Sequence, residues 1–221
     1  MYRMRQWVRW VAGCGAYRLM YSLMIAGLMA LWGLPTATAA PGDTTHTNAP
    51  RAYQSVSVQA GVTTNVNRTR LHEDWQPGVG PQMVVAVPFY AGYLETVAAY
   101  HIYRPRASAD VPAFQALMLQ LGWGLERPLT SWLTVGGGVR IGNYGMGFDV
   151  NGDLERAEVN ESELVTALAG RFTVHVSDRW RVVAASSYQR TFTRIRMDLV
   201  YTTVGVQYTF DSPSWLQTFL R

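Results

Sequence analysis

Eight segments of this chain read as β-strands, and the connections between them alternate between short and long, a rhythm that few folds permit. The segments are residues 53 to 66, 81 to 90, 93 to 104, 114 to 126, 131 to 144, 162 to 176, 180 to 192 and 198 to 210. Ala91-Gly92, Arg127 to Thr130 and Ser177-Asp178-Arg179 are tight links, whereas Asn67 to Gly80, Pro105 to Ala113 and Gly145 to Glu161 are long. Only Thr193 to Met197 is brief where a long loop is due. An even number of strands joined in this way predicts an all-β, antiparallel, up-and-down barrel with tight turns on one rim and long loops on the other. Both ends of the barrel segment, 53 to 210, then lie on the tight-turn rim.

The strands also alternate internally, as a wall with two different solvents must. In the first, Val56, Val58, Ala60 and Val62 alternate with Ser55, Ser57, Gln59, Gly61 and Thr63. The fourth sets Leu117, Leu119, Leu121, Trp123 and Leu125 against Met118, Gln120, Gly122, Gly124 and Glu126. Leu133, Val135, Val139 and Ile141 oppose Thr134, Gly136, Gly138 and Arg140 in the fifth, and Leu168, Phe172 and Val174 oppose Arg171 and His175 in the sixth. Adjacent Val182 and Val183 leave the register of the seventh open. Hydropathy alone does not say which face points outward, so a soluble, lipocalin-like barrel with a polar exterior is an alternative to a transmembrane one.

Residues 1 to 39 differ in kind. Arg3, Arg5, Arg9 and Arg18 form a basic leader without acidic residues, followed by an apolar run from Leu19 to Leu34 and by Ala37-Thr38-Ala39. That order is a secretory signal peptide, with cleavage expected after Ala39. The run falls just short of the roughly 17 to 25 residues that a helical span needs. Val11-Ala12-Gly13-Cys14 has the residue types of a lipoprotein cleavage box, but its apolar region follows the cysteine instead of preceding it. Without the four leader arginines, the 19 basic residues fall to 15, equal to the 15 acidic ones, and the formal charge of +4 disappears. Nucleic acid is therefore not an expected partner. Cys14 leaves too, so the mature chain has no disulfides. Residues 40 to 52, with Pro41, Gly42 and Pro50, read as a flexible periplasmic lead-in. No mature stretch has the 18 consecutive apolar residues of a membrane helix, and a closed barrel is the other structure that can cross lipid.

The last strand ends Thr203-Val204-Gly205-Val206-Gln207-Tyr208-Thr209-Phe210. Thr203, Gly205, Tyr208 and Phe210 occupy the four positions of the terminal assembly signal of bacterial outer-membrane barrels, and with the strand and loop rhythm the chain resembles the small, OmpA/OmpX-like eight-stranded family. The resemblance implies a place in the outer membrane among its lipids and insertion by the barrel assembly machinery. In the family the closing aromatic usually ends the polypeptide, whereas Asp211 to Arg221 follow here; Trp215, Leu216, Phe219 and Leu220 have helical spacing.

Candidate chemistry is sparse. Glu95, Glu126, Arg140 and Arg171 fall on the inward face with Gln59, Gln120, His101, Tyr103 and His175. An eight-stranded barrel is just wide enough to be filled by side chains, so a paired lumen network is expected. Some outer-membrane barrels are hydrolases, but His101 and His175 have no Ser beside them in sequence, and His46 and His72 fall in the lead-in and in an exposed loop. Gly-x-Ser-x-Gly and His-x-Ser-Asn elements are missing. Asp149, Asn151, Asp153 and Glu155 imitate a calcium loop, yet Gly152 precedes the third ligand instead of following it, and Asn151-Gly152 suits a hairpin tip better. Asn67-Arg68-Thr69 and Asn160-Glu161-Ser162 match the glycosylation pattern only as short motifs. No enzyme activity, metal or cofactor is expected. Three functions follow: an anchor presenting loops 67 to 80 and 145 to 161, with Trp75, Tyr144, Met146 and Phe148 near its binding surfaces; a narrow pore over the glycines 122, 124, 136 and 138; and a lipid hydrolase.

Overall fold

A computed structural model describes residues 53–67, 69–109, 111–149, 159–192 and 197–212. The leader, the lead-in, the tail after Ser212 and the acidic tip at 151 to 155 lie outside these residues. The elements are β1 (Ser55–Asn65), α1 (Leu71–Asp74), β2 (Trp75–Pro77), β3 (Gly80–Phe89), β4 (Gly92–Pro105), β5 (Ala113–Pro128), β6 (Leu133–Asp149), β7 (Val159–His175), β8 (Trp180–Thr191) and β9 (Met197–Asp211). Eight of the strands pair with their neighbours antiparallel, and β9 pairs back to β1, so the wall is closed. Short β2 pairs with the end of β4 that β3 leaves uncovered, through Trp75 opposite Pro105.

Stagger sets the tilt of the strands. A line of paired residues that leaves β1 at Ser57 runs through Ala86, Glu95, Gly122, Arg140, Ala167, Gln189 and Leu199. It meets β1 again beyond Asn65, whose partner is Tyr201. Such displacement along the strand on each circuit is the shear that a closed barrel requires.

The wall is inside-out relative to a soluble protein. Leu121 and Ile141 point outward at 64% and 55% exposure, while their neighbours Gln120 and Arg140 point inward at 2% and 8%. Val62, Met83, Leu119, Val139 and Val204 extend the outer apolar belt. A contiguous outer surface of this kind belongs against hydrocarbon, where every backbone group must already be paired. The polar exterior of a lipocalin-like barrel is thereby overturned. On the tight-turn rim the belt ends in rings: Trp180 meets Tyr208 edge-on at 4.7 Å between centroids, and Tyr208 meets Phe210 at 4.6 Å. Val183 is fully buried and Val182 exposed, which fixes the register of β8.

Several expected boundaries move. β6 and β7 pair from Leu133 with Val174 up to Phe148 with Val159, so both ends of the expected 145 to 161 loop are strand. The connection before β3 holds α1 and β2, which are too short to leave a period in the sequence. Between β3 and β4 the turn residues are Tyr90 and Ala91, one place earlier than expected, because Phe89 pairs with Gly92.

Candidate functional site

The lumen carries most of the chain's inward chemistry, and it has two different ends. Toward the tight turns, Glu95, Glu126, Arg140 and Arg171 come together. The Arg140 Nε–H donates to Glu95 Oε1 at 2.7 Å. Arg171 reaches both carboxylates, Glu95 at 3.7 Å and Glu126 at 2.5 Å, and its guanidinium lies 3.8 Å from the centre of the Tyr93 ring. Glu95, Arg140 and Arg171 are all buried, so each needs the others to offset its lost hydration.

Glycines make room for this network. A Cβ at Gly124 would collide with the Tyr93 ring, and one at Gly122 would press on the aliphatic stems of Arg140 and Glu95. At Gly136 the neighbours would be the stems of Glu126 and Arg171. Three of the four expected pore-lining glycines are therefore seats for side chains from adjacent strands, while Gly138 lies against the backbone of Trp123 and Gly124. Gly205 serves the closing seam instead: it pairs with Gly61, and a Cβ on it would lie 2.7 Å from the Ala60 carbonyl oxygen. Thr203 faces inward and donates from its hydroxyl to Gln82 Oε1 at 3.0 Å. The four positions of the assembly signal thus split, two inward on the seam and two in the outer aromatic ladder.

Toward the long loops the lumen is filled mainly by rings and apolar side chains, with the buried polar groups of Asn65, His101 and Thr191 among them. Tyr103 and Phe114 stack with centroids 4.4 Å apart and planes 6° apart, and Phe148 lies 5.3 Å from Phe114. The hydroxyls of Tyr103 and Tyr144 lie 2.9 Å and 3.3 Å from that of Tyr201, which lets three buried tyrosines satisfy one another. Met118, Met146, Val165 and Leu199 fill the space around them. From above, Trp75 closes edge-on over Phe114 at 5.5 Å, and its indole N–H donates to the Pro112 carbonyl at 2.8 Å. Arg106 holds the same loop down by donating to the carbonyl of His72.

These contacts correct the sequence reading of the loop face. Tyr144 and Met146 are buried lumen residues, Phe148 and Trp75 pack onto them, and none of the four is a free binding surface. His72, expected in an exposed loop, is buried and accepts from the Thr69 backbone N–H at 3.1 Å. Asn67 is no glycan acceptor: its amide donates to the Asp198 carbonyl and accepts from the Val200 N–H, extending the seam between β1 and β9. His101 lies in the apolar half with its ring 4.6 Å from that of Tyr201. At the opposite end, His175 Nε2 is 2.8 Å from the Thr134 hydroxyl. No group of three or more potential metal ligands occurs among the described residues.

Arg181 and Gln207 were missed by sequence reasoning, although both face the lumen at its tight-turn mouth. Arg181 lies two residues before Val183, so the open register of that strand hid it. On the rim outside, Arg179 donates to the Tyr208 hydroxyl, which with the nearby Asp211 carboxylate holds its guanidinium more firmly protonated than usual.

No family model matches the sequence, and no curated protein matches it either. Among solved structures, Neisserial surface protein A is similar at 13% identity, over 71% of this chain and 96% of that one, with a TM-score of 0.49. Ail, the attachment invasion locus protein of Yersinia pestis, is similar at 12% identity over 71% of this chain and 99% of its own, with a TM-score of 0.45. The outer membrane protein OprG from Pseudomonas aeruginosa is similar at 13% identity over 73% and 98%, with a TM-score of 0.47.

Proposed function

We propose that this chain is a bacterial outer-membrane protein whose barrel is a filled anchor and whose working surface is the long-loop rim. One observation carries the reading: the lumen is stopped by the buried set Tyr103, Phe114, Tyr144 and Tyr201, each at most 1% exposed. A wall that spans lipid but is stopped in this way leaves its loops to meet partners. The narrow-pore reading loses ground, since three of the four glycines it invoked, Gly122, Gly124 and Gly136, are covered by Tyr93, Glu95, Glu126 and the two arginines. Hydrolysis is not favoured either. His101 makes no hydrogen bond to a hydroxyl, and the Thr134 and His175 pair has no carboxylate bonded to the histidine among the described residues. Inserted into planar bilayers, the refolded protein should give no steady conductance; resolvable single-channel steps would overturn the anchor reading.

Insertion itself rests on the outer-membrane lipids and the barrel assembly machinery, with Thr203, Gly205, Tyr208 and Phe210 as the signal read by that machinery. The aromatic ladder of Trp180, Tyr208 and Phe210 supports this reading, because such rings anchor a barrel at the interface. Phe210→Asp should abolish heat-modifiable migration of the barrel in membranes, and deletion of residues 213 to 221 should leave it intact. The reverse result would remove Phe210 from the signal.

A further inference from the structure

We infer that the tight-turn mouth of the lumen is a binding site for a small oxyanion, a carboxylate or a phosphate, with Arg181 as its principal ligand. A cavity of about 290 Å³ opens there, lined by residues that include Arg171, Arg181, Gln207, Ser57 and Thr209. Its volume sits at the small end of ligand sites, which run from roughly 300 to 1,000 Å³.

The charges facing this part of the lumen do not balance. Glu95 neutralises Arg140, Glu126 neutralises Arg171, and Arg181 has no ion pair among the described residues. Across the strand pair from Arg181 lies His175, which supplies no negative charge and is engaged with Thr134. Of the rim carboxylates, Asp211 is paired outward with Arg179 at 3.6 Å, and Asp178 acts on that same guanidinium. One guanidinium is thus in excess, and the Nε–H groups of Arg171 and Arg181 are both buried without acceptors. A buried donor on a charged group costs free energy until something accepts from it.

The lining suits an anion with several oxygens. Arg181 offers the fork that matches a carboxylate or phosphate, and the buried Gln207 adds an amide. Ser57 and Thr209, whose hydroxyls are 3.0 Å apart, leave one hydroxyl hydrogen able to turn into the cavity. Glu126 is the one repulsive group at the wall, and its partner Arg171 offsets it. Because the aromatic stop closes the other end, the site is entered from the periplasmic rim.

Titration calorimetry on the refolded barrel in a zwitterionic detergent at low salt tests the site, with succinate and inorganic phosphate as separate probes. The wild type should bind at least one saturably. Preference for succinate assigns a carboxylate-bearing solute, and preference for phosphate assigns a phosphate-bearing one. Arg181→Gln should weaken binding by about tenfold, Arg181→Lys by less, and the rim variant Arg179→Gln not at all, with folding of each checked by heat-modifiable migration. Should Arg181→Gln misfold, Gln207→Leu keeps every ion pair and should still weaken binding by about two- to tenfold. No saturable heat from either probe, or equal affinity in folded Arg181→Gln and wild type, would overturn the proposal.

Discussion

The two ends of the lumen solve the same packing problem with opposite chemistry. At the tight-turn end the space between strands is occupied by guanidinium and carboxylate groups that bond to one another and to little else. At the loop end it is occupied by stacked rings, methionines and three mutually bonded tyrosine hydroxyls. The contrast teaches where each end is vulnerable. An ion network holds while every charge has its partner and fails when one is removed, because the orphan remains buried. A packed aromatic cluster instead loses stability in proportion to the volume deleted. The charged end is also the end with a surplus, and surplus charge is available for a ligand in a way that a satisfied ring stack is not.

The largest effect should come from Glu95→Leu. It strands Arg140 and removes one of the two carboxylates of Arg171, and breaking a buried pair costs about 3–5 kcal/mol. Urea unfolding of the barrel in liposomes measures it; coupling Glu95→Leu with Arg140→Met should recover most of the loss. If the double variant is as unstable as the single one, orphaned charge is not the cause and the contrast between the ends fails.

Phe114→Ala comes next, at about 3 kcal/mol, the low end for truncating a buried aromatic ring. Trp75 and Phe148 already touch Phe114 and can lean into part of the gap. The same unfolding assay applies, and no second substitution at the charged end should restore it.

Tyr201→Phe should cost least, about 0.5–1.5 kcal/mol, since it removes one hydroxyl shared between Tyr103 and Tyr144. A loss as large as that of Glu95→Leu would show that the loop end is also a polar network, and would erase the distinction drawn above.

Much of this molecule was legible before its coordinates. Strand alternation named the inward charges Glu95, Glu126, Arg140 and Arg171, since a period of two assigns a face to every residue once one is fixed. It failed at Val182 and Val183, where two apolar neighbours erase the period, and Arg181 was lost with it. Around the long loops the sequence misled for a different reason. Met146 and Phe148 were placed in loop because their glycine-rich surroundings resemble one, yet β6 runs on to Asp149 and carries them onto the lumen cluster, while Trp75 is brought there by the short β2.

What the chain determined alone is the barrel: eight alternating segments, with connections of alternating length, admit hardly another closed arrangement, because each strand must pair on both edges to leave nothing unbonded in lipid. What only the tertiary structure decided is how the interior is divided. Which charge meets which, which glycine seats which ring, and which arginine is left over all depend on register around the barrel. Stagger brings Glu95 beside Arg140 from strands far apart in sequence, and no local pattern encodes that displacement.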